Sequence, residues 1–179
     1  MIALHLKRKI SIRRRLANSF VEKLKIYLVI KPLQYLHGNG NQAEKLNELR
    51  SLPLSSIGND IAKMLDERNL SLIPNFENHD LKHLILGYGM TSQDEIRMQA
   101  YLIGNGNSSI YSMLFFSSGL LFPSEWKEYR EDYRKGKLSV SILKLTLDDC
   151  QLEDTELIRS QYNRLKSHKS ILKSKNTIQ

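Results

Sequence analysis

The chain has 179 residues, 41% hydrophobic and 26% charged, which fits one domain with a real core and leaves too little for two full domains. Its single cysteine, Cys150, excludes an internal disulfide and a cysteine-based zinc site, and it fits a reducing compartment. The formal net charge of +8 is uneven, because residues 1–31 carry nine Lys or Arg against one Glu while residues 32–163 carry 13 basic and 18 acidic side chains.

The first predicted element is an amphipathic helix over residues 12–36, within a basic arm that spans residues 1–41. Its apolar side chains recur at helical spacing: Ile12, Leu16, Phe20, Leu24 and Leu28. Arg and Lys on the other side predict an interfacial helix on a membrane surface, although the same stripe fits equally against the protein's own core. The basic clusters suit anionic headgroups at about 1 kcal/mol per charge, non-specific nucleic-acid binding, or a solvated disordered arm.

The N-terminus does not predict secretion, since its longest apolar run, residues 26–30, is interrupted by Lys31-Pro32 and lacks a small-residue cleavage site. Residues 1–20 are rich in Arg and poor in acid, as in a mitochondrial transit peptide, but a presequence would leave little extension on so short a chain. We therefore expect a bacterial cytoplasmic protein that is peripheral at the inner membrane, or a mitochondrial one if the host is eukaryotic.

Residues 37–41 form a Gly/Asn linker, and the chain after it predicts an all-α single helical domain over 42–165, followed by a basic, disordered tail, 166–179. Helices are expected near 55–68, 75–86, 93–103, 109–121, 125–135, 139–148 and 153–167. Within this set, residues 139–147 alternate as a strand would, but they are predicted as helix because no partner strand exists.

No charged residue occurs from Met98 to Ser124. The apolar part of this stretch, 109–122, is too short to cross a bilayer, which takes roughly 20 residues. Four small residues lie among the large apolar side chains of this segment, Ser112, Ser117, Ser118 and Gly119. They predict a groove for an acyl or prenyl chain. A tightly packed central helix is the alternative.

The strongest candidate site is H-D-L-K-H, eleven residues, then E. On a helix over 76–86, His79, His83 and Asp80 fall at about 0°, 40° and 100°, so they share one wedge. Gly87 can end this helix and Thr91 or Ser92 can cap the next, so Glu95 can approach the wedge from an antiparallel neighbour.

Nitrogen and carboxylate ligands suit zinc first, then iron or manganese, and Glu95 is the candidate general base if it can release the metal. Each residue also has an ordinary interpretation. Ser92-x-x-Glu95 fits a capping box, His79 and His83 fit an exposed helix face, and Asp80 fits the positive start of a helix. Tyr88 and Gln99 lie close enough in sequence to support the ligands.

With its H-D-x-x-H, eleven residues, E spacing, the chain resembles the coenzyme Q (ubiquinone) biosynthesis proteins of the Coq-four family. The similarity covers roughly residues 50–165 and includes Pro53 to Gly58 and Leu65 to Leu70. The resemblance implies His79, Asp80, His83 and Glu95 as metal ligands, and peripheral membrane association. It also implies oxidative removal of the carboxyl at ring carbon one of a prenylated 4-hydroxybenzoate precursor.

Two functions of different class remain open at this point. One is a metal-dependent decarboxylase or lyase acting on that prenylated aromatic acid, and the other is a non-catalytic lipid-binding scaffold with a structural metal. Its partners would be a prenylated quinone precursor or another isoprenoid lipid, the membrane surface, and other quinone-biosynthesis enzymes or a second copy. A phosphohydrolase of the HD type would need a further His before the motif, and here only His37 in the linker precedes it closely. Nucleic acid is not an expected partner, because the aromatic and basic residues of 126–134 fit an ordinary amphipathic helix better.

Overall fold

Helices form the regular structure of the protein throughout the described residues, 2–37 and 41–162, of the computed structural model. The first, α1 (Ile2–Lys25), continues through a π-helical segment (Ile26–Ile30) into α2 (Lys31–His37). The domain then contains α3 (Gln42–Ser51), α4 (Ile57–Asp66), α5 (Glu77–Leu86), α6 (Ser92–Gly104), α7 (Ile110–Ser118), α8 (Trp126–Leu138), α9 (Leu147–Cys150) and α10 (Thr155–Tyr162). Two short 3₁₀ turns, Gly119–Leu121 and Pro123–Glu125, join α7 to α8. The prediction of a single all-α domain is confirmed.

The core consists of two apolar clusters that share α6. The larger joins α6 to α3, α4, α5, α9 and α10, and it includes the fully buried Ile61, Leu81 and Leu102. The smaller joins α6 to α1 and α7 through Val21, Ile96 and Phe115, among others. Since α6 lies between them, its position is fixed from both sides, and so is any side chain it carries into a site.

Helices α6 and α8 cross with their backbones in contact. A Cβ added at Gly136 would lie 2.0 Å from the carbonyl oxygen of Tyr101, and one added at Gly104 would lie 2.0 Å from that of Tyr133. Real Cβ atoms essentially never approach another atom below 3.0 Å, so only glycine fits at either position. This close crossing packs α8 directly against α6.

The predicted helix over 139–148 is wrong, because only its last two residues, which begin α9 (Leu147–Cys150), are helical. The buried side chain of Asn105 takes over its backbone hydrogen bonds. Its Nδ2 donates to the carbonyls of Gly136, Ser139 and Val140 at 2.9–3.3 Å, and its Oδ1 accepts from the amide of Ile142 at 2.9 Å. The non-helical segment can therefore bury Ile142 in the core without a partner strand. Helix α3, which buries Leu46 and Leu49, was also not among the predicted helices.

The amphipathic arm packs on the domain, partly through Leu24 of the predicted stripe but mainly with a different face. Ala17 and Val21 are buried in the smaller core cluster, whereas Ile12, Leu16 and Phe20 are about half or more exposed. Residues 38–40 of the predicted linker and the tail 166–179 lie outside the described residues, so the domain boundaries remain predictions.

Candidate metal centre

The two histidines lie on one face of α5, as their spacing predicts. The helix follows Asn75, which has φ +60°, and ends at Gly87, whose φ of +73° is the left-handed conformation that favours glycine at a helix end. Both imidazoles are buried, His79 at 8% and His83 at 1% exposure. The alternative of two surface histidines is therefore wrong.

Glu95 reaches the same place from the first turn of α6. The hydroxyl of Thr91 caps this helix by accepting from the amide of Asp94 at 3.2 Å, while Ser92 instead donates to Glu22 at 2.8 Å. The carboxylate of Glu95 is thus not part of a capping box with Ser92. It is 2% exposed and faces α5.

Three predicted ligands meet in one buried cluster. His79 Nε2 lies 3.1 Å from Glu95 Oε1, and His83 Nε2 lies 3.2 Å from Glu95 Oε2. One ligand atom from each of the three residues falls within 4.8 Å of the others, so the group can hold a metal ion. The predicted fourth ligand, Asp80, is buried beside His79, with Oδ1 3.6 Å from Nδ1, outside this three-atom group.

The hydrogen bonding of His83 tests whether a cation fits here. Its Nδ1 lies 3.2 Å from the backbone carbonyl of Tyr88, which can only accept, so Nδ1 carries the hydrogen. In the neutral ring, Nε2 then points a lone pair at the carboxylate of Glu95. Two acceptors face each other at 3.2 Å unless a proton or a metal ion lies between them, and metal-bound histidines commonly have this backbone contact on the other nitrogen. The residues fit a metal.

The electrostatic environment of the cluster favours an ionised Glu95 and a protonated His79 when no metal is bound. Burial by itself would raise the pKa of Glu95, but the charges and hydrogen bonds of His79 and His83 outweigh it, so this pKa lies well below the ordinary value. Burial would lower the pKa of His79, yet the nearby carboxylates of Glu95 and Asp80 outweigh burial and raise it. Without a metal, a proton on His79 therefore balances the carboxylate.

The polar residues around the cluster include both predicted supports. Gln99, one turn after Glu95, donates Nε2 to Glu95 Oε1 at 2.8 Å, and Tyr88 contributes its carbonyl to His83. Gln99 Oε1 and His79 Nδ1 are buried without a hydrogen-bond partner. Phe76 stacks on the ring of His79 with centroids 4.0 Å apart and shields it from solvent.

Two residues at the site were missed by the sequence analysis. Lys25, at the end of α1, lies with Nζ 3.8 Å from Glu95 Oε2. Tyr111 of α7 has a buried hydroxyl without a hydrogen-bond partner, and burial together with the charges of Glu95 and Asp80 raises its pKa, so it stays protonated. Lys25 is 70 positions from Glu95, and only its helical spacing with Asn18 and Glu22 could have indicated a polar face.

A groove of about 610 Å³ opens on the surface where the chain passes from α7 to α8. It includes Ser117 and Gly119 of the predicted small-residue set, with Trp126, Tyr129 and Tyr133 as aromatic walls. Trp126 is held by its indole N–H, which donates to the carbonyl of Gly119 at 3.0 Å. Across the described residues, every helix falls short of the length and apolar character needed to cross a membrane.

The fold and the cluster together define an all-helical protein with a buried two-histidine, one-carboxylate site. No family model and no curated protein matches the chain. Among solved structures it is similar to a protein from Nostoc punctiforme PCC 73102, described as a "putative ubiquinone biosynthesis protein". The TM-score is 0.54 at 19% identity, covering 82% of this chain and 86% of that one. The two proteins therefore share a fold.

Proposed function

We propose that this protein binds a divalent metal and acts on a prenylated aromatic lipid in a pathway of the ubiquinone-biosynthesis type. The observation that carries the proposal is the buried group of His79, His83 and Glu95, with His83 oriented by the carbonyl of Tyr88. The shared fold with a protein described as acting in ubiquinone biosynthesis supports the pathway. Zinc is the proposed ion, and iron and manganese are the alternatives, because the donors are nitrogen and carboxylate without thiolate.

The apolar groove is the proposed place for the prenyl chain. Its walls are Phe116, Leu120 and the aromatic side chains of α8, which suit an extended hydrocarbon. Arg130 also lines it and offers a cation for a polar end of the lipid.

We also propose that α1 lies on a membrane surface, from which such a lipid would be taken. Leu16 and Phe20 are exposed, and together with Leu121 they line a small apolar depression that Arg13 borders. Apolar side chains beside cations are the pattern of an interfacial helix on an anionic bilayer.

The proposed reaction is the one that the Coq-four resemblance implies, oxidative loss of the carboxyl at ring carbon one, in which the carboxyl leaves as CO2 and an external oxidant such as dioxygen accepts the electrons. A bound divalent metal would supply Lewis acidity toward that carboxylate or the ring hydroxyl. His79 and His83 would hold the ion, and Phe76 shields the site. Glu95 would be the third ligand, which leaves a tetrahedral ion one position for substrate, and it would act as general base when it releases the ion.

One observation favours the second candidate, a scaffold with a structural metal. The ligands come from two helices, His79 and His83 from α5 and Glu95 from α6, so an ion would also clamp these helices together. In an enzyme, Glu95→Gln abolishes turnover while the fold persists. In a scaffold it lowers stability, and lipid and partner binding remain in the folded fraction.

The first test is the metal content of untagged protein by plasma mass spectrometry, for wild type, His83→Ala and the matched control His37→Ala. We expect about one zinc, iron or manganese per chain in wild type and control, and loss of the metal in His83→Ala. A folded wild type without metal would refute the proposed site. Co-purified lipid, extracted from the same samples, tests the groove, with Tyr133→Asp expected to lose it.

A further inference from the structure

Lys25 brings a fixed positive charge to the candidate metal centre from a different part of the chain. Its ammonium lies 3.8 Å from Glu95 Oε2, and its side chain is 18% exposed. The helix changes from α to π geometry directly after it, at Ile26, and π segments are frequent at functional sites. The arm is therefore part of the site.

The register of α1 that places Lys25 is fixed by contacts along the same face of the helix. Arg14 pairs with Glu125 at 3.1 Å, Asn18 Oδ1 accepts from Gln93 Nε2 at 2.8 Å, and Glu22 accepts from Ser92 at 2.8 Å. Beside this polar row, Ala17 and Val21 are buried. These three contacts, spaced four residues apart, mean that Lys25 is held where it lies.

Tyr111 adds a neutral donor on the α7 side of the cluster. Its ring lies 6.4 Å from that of His79 and 4.6 Å from that of Phe115, so the side chain is packed in place. Its buried hydroxyl makes no hydrogen bond of normal length, although the carboxylate of Glu95 is near enough to raise its pKa. A ligand with an acceptor oxygen closer to the hydroxyl would take this hydrogen bond.

The charges around the cluster determine the charge of the ligand that fits there. Glu95 and Asp80 contribute −2 and Lys25 contributes +1, so neutral histidines leave −1, and a divalent ion changes the sum to +1. A net charge in a buried site is expensive. One monoanion at the open metal position neutralises it, whereas a neutral ligand does not.

We propose that Lys25 and Tyr111 form an anion-recognition wall, which selects a ligand whose metal-binding end is a monoanionic oxygen or nitrogen group such as a carboxylate. This inference rests on the metal site proposed above. Lys25 supplies the charge and Tyr111 donates a hydrogen bond, and neither residue binds the metal itself.

The test uses the full-length protein loaded with cobalt(II), whose visible spectrum changes when an anion enters its coordination sphere, titrated with azide at fixed pH and ionic strength. Lys25→Met weakens azide binding about tenfold or more, as expected for a unit charge lost from a partly buried site. Tyr111→Phe weakens it about threefold to tenfold, as for one hydrogen bond. Lys23→Met, exposed on the same helix, and Lys25→Arg both bind azide as wild type within about threefold.

Azide affinity separates anion recognition from a simple counterion role. Cobalt affinity in Lys25→Met is expected to stay the same or rise in either case, because a cation beside the metal has been removed. If azide affinity is equal in Lys25→Met and Lys23→Met, Lys25 is only the counterion of Glu95 and the inference is wrong. If Lys25→Met does not fold, Lys25→Gln and Tyr111→Phe carry the same comparison. If wild type binds no cobalt, the proposed metal function fails as well.

Discussion

Replacing Gln99 by Met should separate metal affinity from fold stability. The amide of Gln99 donates to Glu95 Oε1 at 2.8 Å, while its own Oε1 is buried without a partner. The side chain is 1% exposed, and methionine fills a similar volume without polar atoms. The substitution removes one good hydrogen bond and one unsatisfied oxygen together.

In the metal-free protein these two changes oppose each other. The lost hydrogen bond to a charged group is worth about 1.5–3 kcal/mol, and the removed unsatisfied oxygen returns about 1–3 kcal/mol. The free energy of unfolding should therefore change by no more than about 1 kcal/mol. Metal binding has no such compensation, because the ion replaces the contacts that His79 and His83 make to Glu95 in the metal-free protein, and without Gln99 the ion itself must order this side chain.

Ordering a free glutamate side chain costs about 1.5–2 kcal/mol, and each 1.4 kcal/mol is a factor of ten in affinity. Zinc should therefore bind about tenfold to thirtyfold more weakly to Gln99→Met, measured by competition with a chromophoric chelator. Urea unfolding in a chelator gives the stability of the metal-free protein, and Gln161→Met, exposed on α10, is the control. Unchanged zinc affinity, or a metal-free variant destabilised by more than about 3 kcal/mol, would refute the reasoning.

Three further outcomes can be measured on the same protein. Gly136→Ala should lower the free energy of unfolding by about 2 kcal/mol or more, because the added Cβ would clash with the carbonyl of Tyr101 and this clash outweighs the gain in helix propensity. Denaturant unfolding of this variant, with Arg134→Ala as the control, measures the loss. Asn105→Leu should cost about 3 kcal/mol or more by thermal or urea unfolding, since several buried backbone groups lose their partner, and a loss below 1 kcal/mol would contradict that account. Without metal, the raised pKa of His79 stabilises the folded state below about pH 6.5, and this contribution is lost as the pH rises through the pKa of the folded state. The lowered pKa of Glu95 stabilises the folded state above about pH 4.5, and that contribution is lost in acid. Melting temperatures against pH should therefore decline above pH 6.5 without zinc and be flatter with saturating zinc, and parallel curves would count against metal and proton sharing one place.

The sequence was sufficient for the local parts of this molecule. The spacing of His79 and His83, the glycine stop after α5 and the cap before Glu95 are set within a few residues, so the cluster followed from helical geometry. The support from Gln99 followed from the same rule, because it lies one turn further along α6.

The errors arose where distant residues decide the local structure. Residues 139–146 are not helical because the side chain of Asn105 bonds to their backbone, and no local propensity records that contact. Polar contacts with α6 determine which face of α1 packs on the domain, and they leave Ile12, Leu16 and Phe20 exposed. Lys25 was missed for the same reason.

One helix carries both the exposed apolar stripe and the lysine of the buried centre. Leu16 and Phe20 face outward, while Lys25, about two turns further on, faces Glu95. An α-helix advances about 1.5 Å per residue, so Phe20 and Lys25 lie about 7.5 Å apart along one rigid element. The outer face of α1 and the charge beside Glu95 therefore have one common support. A substitution that displaces α1 would alter both.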